Sequence, residues 1–348
     1  MKVRPSILCP IDHSEASAGA LHYAAALAEH FVTRLVVLTV EDPLLTTALD
    51  LGTGVHWTRD LSEREVAAFA ASVFGEDAPA LAMCEYDVAI GKPPVEILRV
   101  ARERSCDVIV MSSHGLTGAR KLFFGSTTER VLRETLVPVL VTPPINPGPV
   151  HAADARRLLR RMVVPIDLSP ASLYQTQVAR DIAEALDLPL VLVHVIEPVK
   201  SRLLSRHHLL GLDSGRRAIA EDRLEDVVAT LPRKLHPEAL LVFGDPAEEA
   251  AKVVRDRQAG LVVMGLHGSP MLGPRMGSVT YRMLCLTPTL VLALPPKAVE
   301  RIAPEVHDES HVEGAGTVAA GRGLLADAGG NRHGSGSSEG NIPDAAHR

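Results

Sequence analysis

MSSHGLTGARKLFFGSTTER, residues 111–130, decides how the rest of the chain is interpreted. It joins an apolar run, residues 107–111, to a helical pattern that starts at Ser126. The run has the length and composition of a buried strand. A strand that passes through a loop of small residues into a helix gathers backbone N–H groups at the positive end of the helix dipole. The sequence therefore predicts an anion site in this loop.

The same pattern of strand, loop and helix occurs a second time, at residues 264–282, MGLHGSPMLGPRMGSVTYR. Several landmarks repeat at nearly constant offsets: 155 from Asp12 to Asp167, 153 from Gly91 to Gly244 and from Gly115 to Gly268, and 152 from Gly125 to Gly277. Such regular spacing predicts two copies of one domain.

Apolar runs alternate with helical patterns in both copies. In the first copy we predict strands at residues 7–11, 35–40, 83–90, 107–111 and 138–142, and helices at 14–29, 61–74, 93–104 and 126–135. In the second copy we predict strands at 162–166, 190–196, 239–243, 261–264 and 289–294, with helices to 186, at 216–231, from 246 and from 278. This alternation predicts parallel α/β sheets with right-handed crossovers and ligands at the carboxyl ends of the strands.

The predicted domain boundaries follow from the proline-rich and glycine-rich segments. The first domain is predicted at residues 1–143, a linker at 144–160, the second domain at 161–297, and a disordered tail at 298–348. Residues 41–60 lack periodicity and are predicted to form a long loop. The last strand of each copy, residues 138–142 and 289–294, is an apolar edge that needs a partner.

Composition limits the classes of partner. With a net charge of -6, the chain has no general attraction to nucleic acid or anionic lipid. The N-terminal apolar run is broken by Pro10 and Asp12, and no segment approaches the ~20 apolar residues of a membrane span. We therefore expect a cytoplasmic protein. The four cysteines show no CxxC spacing, so free thiols are expected.

Motifs for catalysis are missing from the sequence. It has no GxxxxGK[ST] loop, no G-x-S-x-G elbow and no nucleophile with an obvious base. His13, His114 and His267 lie near the loops, but no pair has H-x3-H spacing with a carboxylate partner. We therefore predict neither a catalytic residue nor a metal site.

Both copies resemble the universal stress protein family. The resemblance rests on Pro-Ile-Asp-x-Ser at the first strand, Gly-x-Pro after the third, and the glycine-rich loop with Gly-Ser before the last helix, and it covers about residues 3–296. It implies two tandem Rossmann-like domains of the adenine nucleotide alpha-hydrolase-like type. Each would be a five-stranded parallel sheet of order 3-2-1-4-5 with helices on both faces. The resemblance also implies that the two copies pair through their last strands as a pseudo-dimer.

ATP-binding members of that family carry the loop G-x2-G-x9-G-[ST], and neither copy matches it fully. The first copy has Ser112 at the first glycine and keeps the spacing through Gly115, Gly125 and Ser126; the second keeps Gly265, Gly268, Gly277 and Ser278 but is one residue shorter. A missing residue redirects the N–H groups of the loop, so the first copy is the better candidate.

The resemblance also assigns roles to residues. It implies that ATP, or AMP or ADP, binds with its adenosine near Asp12 and Asp167 and its adenine along the backbone near Val40 and Val195. Mg²⁺ can accompany the nucleotide, although no carboxylate cluster marks it. The candidate cofactor-binding residues are Pro10, Asp12, Val40, Met111, Ser112, Gly115, Gly125, Ser126 and Thr127 in the first copy, and Pro165, Asp167, Val195, Met264, Gly265, Gly268, Gly277, Ser278 and Val279 in the second.

Structural interpretations of the same residues stay open. A Gly-Ser at a helix start is often only a cap, and Asp12 after a strand can cap the next helix. The hydroxyls of Ser126, Thr127, Ser278 and Thr280 either donate to phosphate or cap their helices. The leading hypothesis is a nucleotide-binding stress sensor with an unidentified protein partner and a potential homodimer; the alternatives are a nucleotide-free scaffold and a weak ATPase.

Overall fold

A computed structural model describes residues 5–44, 58–76, 78–114, 125–198, 206–266 and 276–296. The predicted tail from residue 298, most of the predicted loop at 41–60, and the candidate residues Gly115 and Gly268 lie outside these ranges. Among the helices within the ranges, none combines the length and the apolar character that crossing a bilayer needs.

The strands of both copies form one sheet. They are β1 (Ile7–Ile11), β2 (Leu35–Glu41), β3 (Cys84–Ile90), β4 (Val108–Ser112), β5 (Val139–Thr142), β6 (Met162–Pro165), β7 (Leu190–Ile196), β8 (Glu238–Phe243), β9 (Leu261–Gly265) and β10 (Leu290–Leu294). Their spatial order is β3-β2-β1-β4-β5-β10-β9-β6-β7-β8. The predicted parallel α/β fold is confirmed, since neighbouring strands within each copy run parallel.

The two copies meet at their last strands, as the family resemblance implies. β5 and β10 pair antiparallel, with Val141 opposite Val291 and Leu140 opposite Leu292. This pairing satisfies two strand edges that would otherwise leave backbone N–H and C=O groups without partners. It therefore joins two half-sheets into a continuous sheet of ten strands.

Helices cover both faces of the sheet. They are α1 (Glu15–Phe31), α2 (Arg59–Phe74), α3 (Pro93–Glu103), α4 (Ser126–Glu134), α5 (Ala155–Leu159), α6 (Pro170–Leu186), α7 (Arg206–Ala229), α8 (Pro246–Asp256) and α9 (Ser278–Leu286). Strand side chains alternate between two apolar layers, with Leu8 in one and Ile7 in the other. α1, α2, α6 and α7 pack on the layer of Ile7, whereas α3, α4, α8 and α9 pack on that of Leu8.

The duplication extends to unusual backbone conformations. Left-handed residues recur in pairs: His13 (φ 60°) with Leu168 (61°), Val32 (48°) with Asp187 (50°), and Ser105 (51°) with Gln258 (51°). For a residue with a Cβ this conformation costs roughly 1–2 kcal/mol, so it is seldom adopted by chance. The copies therefore share the local geometry of three turns as well as their order of elements.

The segment predicted as a linker packs on the first copy and contains the short helix α5. Ala152 donates its backbone N–H to Glu29 Oε2 of α1 at 3.2 Å. The carbonyl of Ile145 lies against Gly19 of α1, where a Cβ would be only 2.3 Å from that oxygen. At the other end, Gly260 donates its N–H to the carbonyl of Leu159 at 2.8 Å. These contacts tie the segment to both copies.

Predicted element boundaries agree with the structure to within about two residues, except at α7. This helix begins at Arg206, ten residues before the predicted start at 216. Two histidines and two glycines interrupt any apolar pattern in the first half of α7. The apolar periodicity used for the prediction therefore begins too late.

Candidate functional site

The predicted site of the first copy lies where the chain leaves the sheet in opposite directions. After β1 it passes to α1 on one face, and β4 leads to α4 on the other. Pairing between β1 and β4 is confined to Ile7 with Val108 and Leu8 with Ile109, well before the carboxyl ends of the strands. A crevice of this kind is the usual ligand site of doubly wound sheets. It brings Asp12 and Ser112 to one edge.

Asp12 shapes the turn between β1 and α1. Its Oδ1 accepts hydrogen bonds from the backbone N–H of Ser14 at 3.2 Å and from the Ser14 hydroxyl at 2.5 Å. Ser14 Oγ in turn accepts from the N–H of Ser17 at 3.1 Å, which confirms Ser14 as the cap of α1. The Asp12 carboxylate is exposed at the rim of the crevice, and the two bonds fix its direction.

The second copy repeats this turn. Asp167 Oδ1 accepts from the N–H of Ser169 at 3.0 Å, and Ser169 Oγ accepts from that of Ser172 at 3.3 Å. Burial alone would raise the pKa of Asp167, but hydrogen bonds from Ser169 and Ser172 outweigh it and hold that pKa below its ordinary value. The acidic residue of this turn is therefore ionised at neutral pH.

Ser112 replaces the first glycine of the loop without backbone strain. Neither Ser112 nor Gly265, both among the described residues, has a positive φ. Ser112 Oγ donates to the carbonyl of His114 at 2.7 Å and accepts from the N–H of His114 at 3.2 Å. A serine at this position therefore closes the first turn of the loop.

The glycines before α4 and α9 use their N–H groups within the protein. Gly125 donates to the carbonyl of Ser113 at 2.9 Å, and Gly277 donates to that of Leu266 at 2.8 Å. Neither glycine has a side chain that could cap the helix that follows. The first-turn N–H groups of a helix have no intrahelical acceptor. These groups, beginning at Ser126 and Ser278, are the donors that the two loops offer to an anion.

A buried threonine in the first turn ties each of these helices to the preceding strand. Thr128 Oγ1 donates to the carbonyl of Ser112 at 2.8 Å, and Thr280 Oγ1 donates to that of Gly265 at 2.8 Å. The hydroxyl of Thr280 thus has a structural partner. Thr128 was not among the predicted site residues, although its recurrence as Thr280 at the offset of 152 was a usable signal.

The other candidate residues lie along the same edge of the sheet. Val40 and Val195 are half-buried near the ends of β2 and β7, and Met111 and Met264 are buried next to the last residues of β4 and β9. Pro10 and Pro165 lie near the ends of β1 and β6, Ser126 and Ser278 are the exposed first residues of α4 and α9, and Thr127 and Val279 follow them.

A glutamine closes the corresponding crevice of the second copy. Gln175 of α6 is 6% exposed, and its Nε2 donates to the carbonyls of Pro165 at 3.0 Å and Val263 at 2.9 Å. Its Oε1 accepts from the N–H of Gly265 at 3.0 Å. The first copy has Ala20 at this position, which is fully buried. One side chain therefore bridges β6 and β9, whereas the methyl group of Ala20 has no hydrogen-bonding atom with which to bridge β1 and β4.

Charge also differs between the copies beside these helices. In the second copy Asp245 caps α8 and pairs with Arg282 of α9, with Nη1 and Oδ2 2.6 Å apart. The hydrogen bond from Arg282 is the main cause that lowers the pKa of Asp245. The first copy has the exposed Lys92 where the second has Asp245. Its edge is therefore the more positive of the two.

Metal and thiol chemistry find no support in the described part of the chain. Within it, no three His, Cys, Asp or Glu residues are grouped so that they could hold a metal ion. None of the four cysteines, all within the described ranges, forms a disulfide. Burial raises the pKa of Cys84 to about 11 and that of Cys9 further still, so neither is a thiolate at neutral pH.

Comparisons with known proteins match both copies to one family. The model described as "Universal stress protein family" matches residues 4–143 and 159–295. A universal stress protein of Mycolicibacterium smegmatis is 25% identical over 314 residues, which are 84% of this chain and 97% of that relative. One of Methanocaldococcus jannaschii is 39% identical over 54 residues, which span 16% of this chain and only 33% of that relative.

The fold is shared with a solved structure of similar length. A universal stress protein from Archaeoglobus fulgidus superposes with a TM-score of 0.54 and 20% identity, over 84% of this chain and 98% of that one. At this level of identity the likeness concerns the fold alone.

Proposed function

Because the chain belongs to the universal stress protein family, whose model matches both copies, we propose that its first copy binds an adenine nucleotide and thereby acts as a stress-response sensor. ATP is the leading ligand, and AMP and ADP share the adenosine that the site would hold. The observation that carries the proposal is the crevice between β1 and β4. It has an acidic rim at Asp12 and, at the start of α4, a helix N-terminus without a side-chain cap.

Asp12 would receive the ribose. A ribose presents hydroxyl donors, and a carboxylate is the strongest acceptor that a side chain offers. The two bonds from Ser14 already hold the Asp12 carboxylate in place, so little side-chain entropy remains to be lost on binding. The backbone near Val40, on the strand beside β1, would lie along the adenine edge.

The phosphates would lie at the start of α4. Ser126 and Thr127 contribute first-turn N–H groups as well as hydroxyls, and the helix dipole adds a positive potential. A hydrogen bond to a charged group contributes about 1.5–3 kcal/mol, so two or three of them supply a large share of the roughly 8 kcal/mol that micromolar binding requires. Because no carboxylate cluster within the described ranges could hold a metal, phosphate oxygens and water would supply most ligands of Mg²⁺.

The regulatory output would come from residues 112–126, which connect the strand end to the phosphate end. A nucleotide that binds one arrangement of this segment better than another shifts the population toward it. A partner protein that binds the nucleotide-bound arrangement better then distinguishes the bound chain from the free chain. We place this activity in the cytoplasm, where adenine nucleotides are abundant.

The nucleotide released on denaturation tests the proposal. Protein purified without added nucleotide, or dialysed to equilibrium against excess ATP, is denatured with acid, the supernatant is separated by ion-exchange chromatography, and the free ATP of the dialysate is subtracted. We expect an adenine nucleotide at a ratio approaching one per chain. A folded chain that releases none after incubation with ATP would contradict the proposal and favour the nucleotide-free scaffold.

Phosphate release distinguishes a sensor from a weak ATPase. A sensor that binds ATP without turnover gives no steady-state phosphate above that of a Gly125→Asp control. Continuous release that the Gly125→Asp substitution abolishes would show that the site hydrolyses ATP.

A further inference from the structure

The carboxyl ends of β6 and β9 form the second copy's counterpart of the proposed site. Pairing between these strands is confined to Met162 with Leu261 and Val163 with Val262. Beyond these pairs the strands have backbone groups that point into the gap rather than to each other. In a buried gap such groups need hydrogen-bond partners, because an unsatisfied one costs roughly 1–3 kcal/mol.

Gln175 supplies those partners from within the protein. Its carboxamide donates to two carbonyls, one on each strand, and accepts from the N–H of Gly265. Because the whole residue is only 6% exposed, the carboxamide lies inside the gap and not at its mouth. A ligand that needs the Gly265 N–H would have to displace a carboxamide that makes three hydrogen bonds.

His194, on β7, is a second side chain of this copy that contacts a carbonyl at the end of β6. Its Nδ1 lies 2.8 Å from the carbonyl of Ile166, the residue that follows β6. The corresponding residue of the first copy is Thr39, on β2. Two side chains longer than their counterparts therefore bond to carbonyls at the end of β6.

The charged side chains near the start of α9 are a further difference between the second copy and the first. Arg282, one turn into α9, is paired with both Asp245 and Glu248, at 2.6 and 2.8 Å. An arginine already neutralised by two carboxylates attracts a phosphate weakly, and the carboxylates repel it. The first copy has Lys92 and Val95 at the two acidic positions.

We propose that Gln175 is an internal plug that excludes nucleotide from the second copy, so that the chain carries a single site, in the first copy. This inference rests on the proposed function, and it adds a residue that determines which copy binds. The second copy then serves as a permanently closed domain. It completes the sheet through β10, whereas the first copy responds to ligand.

Calorimetric titration of the full chain with ATP tests the plug through stoichiometry. We expect one ATP per chain for the natural protein and for Gly277→Asp, and an affinity about 100-fold weaker for Gly125→Asp, so that no site is saturated at the ATP concentrations that saturate the natural protein. We expect Gln175→Ala, which introduces the residue found at position 20, to raise the stoichiometry toward two. The double variant Gly125→Asp with Gln175→Ala should recover one ATP per chain.

The reciprocal substitution is Ala20→Gln, which places a carboxamide in the first crevice. It should weaken binding at the first site at least tenfold, with the far-ultraviolet circular dichroism spectrum unchanged. Thermal melts of all variants identify any that fail to fold. If the crevice variants do not fold, the stoichiometries of the natural protein and of Gly277→Asp still test the plug, because neither chain is altered in a crevice.

The possible outcomes separate the two proposals. Two ATP per natural chain, falling to one in Gly277→Asp, would overturn the plug and leave the proposed function standing. A folded Gln175→Ala that still binds one ATP would overturn the assignment to Gln175. No binding in any variant would overturn both proposals. Binding by Gln175→Ala at the second copy alone would support the plug and contradict the proposed site in the first.

Discussion

Gly125→Asp is expected to weaken ATP binding about 100-fold, the loss of two charge-assisted hydrogen bonds at about 1.5 kcal/mol each. Position 125 is the N-cap of α4 with φ -59° and ψ 135°, which aspartate adopts without strain. Its carboxylate would accept the first-turn N–H groups and place a negative charge where the phosphates are proposed to lie. The fold should be kept, because aspartate is a favourable N-cap residue.

The matched control is Gly277→Asp, the same change at the equivalent cap of α9, where φ is -60° and ψ is 143°. Both variants should melt at or slightly above the temperature of the natural protein. Isothermal titration calorimetry should show the loss of affinity only for the first. Equal affinity for ATP in Gly125→Asp and the natural protein would contradict the proposal that the phosphates lie at the start of α4.

Gly19→Ala is expected to lower the free energy of unfolding by about 1–3 kcal/mol, the usual cost of overpacking a tight contact. A Cβ at Gly19 would lie 2.3 Å from the carbonyl oxygen of Ile145, and a backbone atom cannot move aside as a flexible side chain does. Either α1 or the segment after β5 must shift. The contact that ties this segment to the first copy is then lost.

Gly215→Ala provides a control of opposite sign. Gly215 lies in α7, and an added Cβ there meets nothing within 4 Å. Replacing a helical glycine by alanine without a clash should stabilise the protein by about 0.5–1 kcal/mol. Urea unfolding followed by circular dichroism measures both variants. A Gly19→Ala variant as stable as Gly215→Ala would show that the segment after β5 makes no tight contact with α1.

The fold was predictable because its determinants are periodic. Strands such as β2 and β7 are buried on both faces and therefore appear as continuous apolar runs. The offset of 155 between Asp12 and Asp167 shows the duplication directly. Parallel topology then places Asp12 and Ser112 at one edge, since the carboxyl ends of parallel strands meet there.

The remaining features depend on single contacts that no periodicity reveals. Gln175 lies in a helix whose pattern would suit an alanine, and its role is evident only from the three backbone groups around it. The tie from Thr128 to Ser112 crosses 16 residues of chain. The N–H groups of Gly125 and Gly277 donate to protein carbonyls, because the tight turn before each helix brings a carbonyl oxygen within hydrogen-bonding distance. Sequence spacing alone does not show which donors of a loop remain available.

The central claim is that an adenine nucleotide binds in the first crevice with its ribose on Asp12. Equilibrium dialysis of ATP against the natural chain and Asp12→Ala tests it most directly. Ser14 would still cap α1 in the variant through its bond to Ser17, so the fold should survive. We predict an affinity about tenfold weaker, the loss of one hydrogen bond to a carboxylate. Undiminished affinity in a folded Asp12→Ala chain would contradict the account.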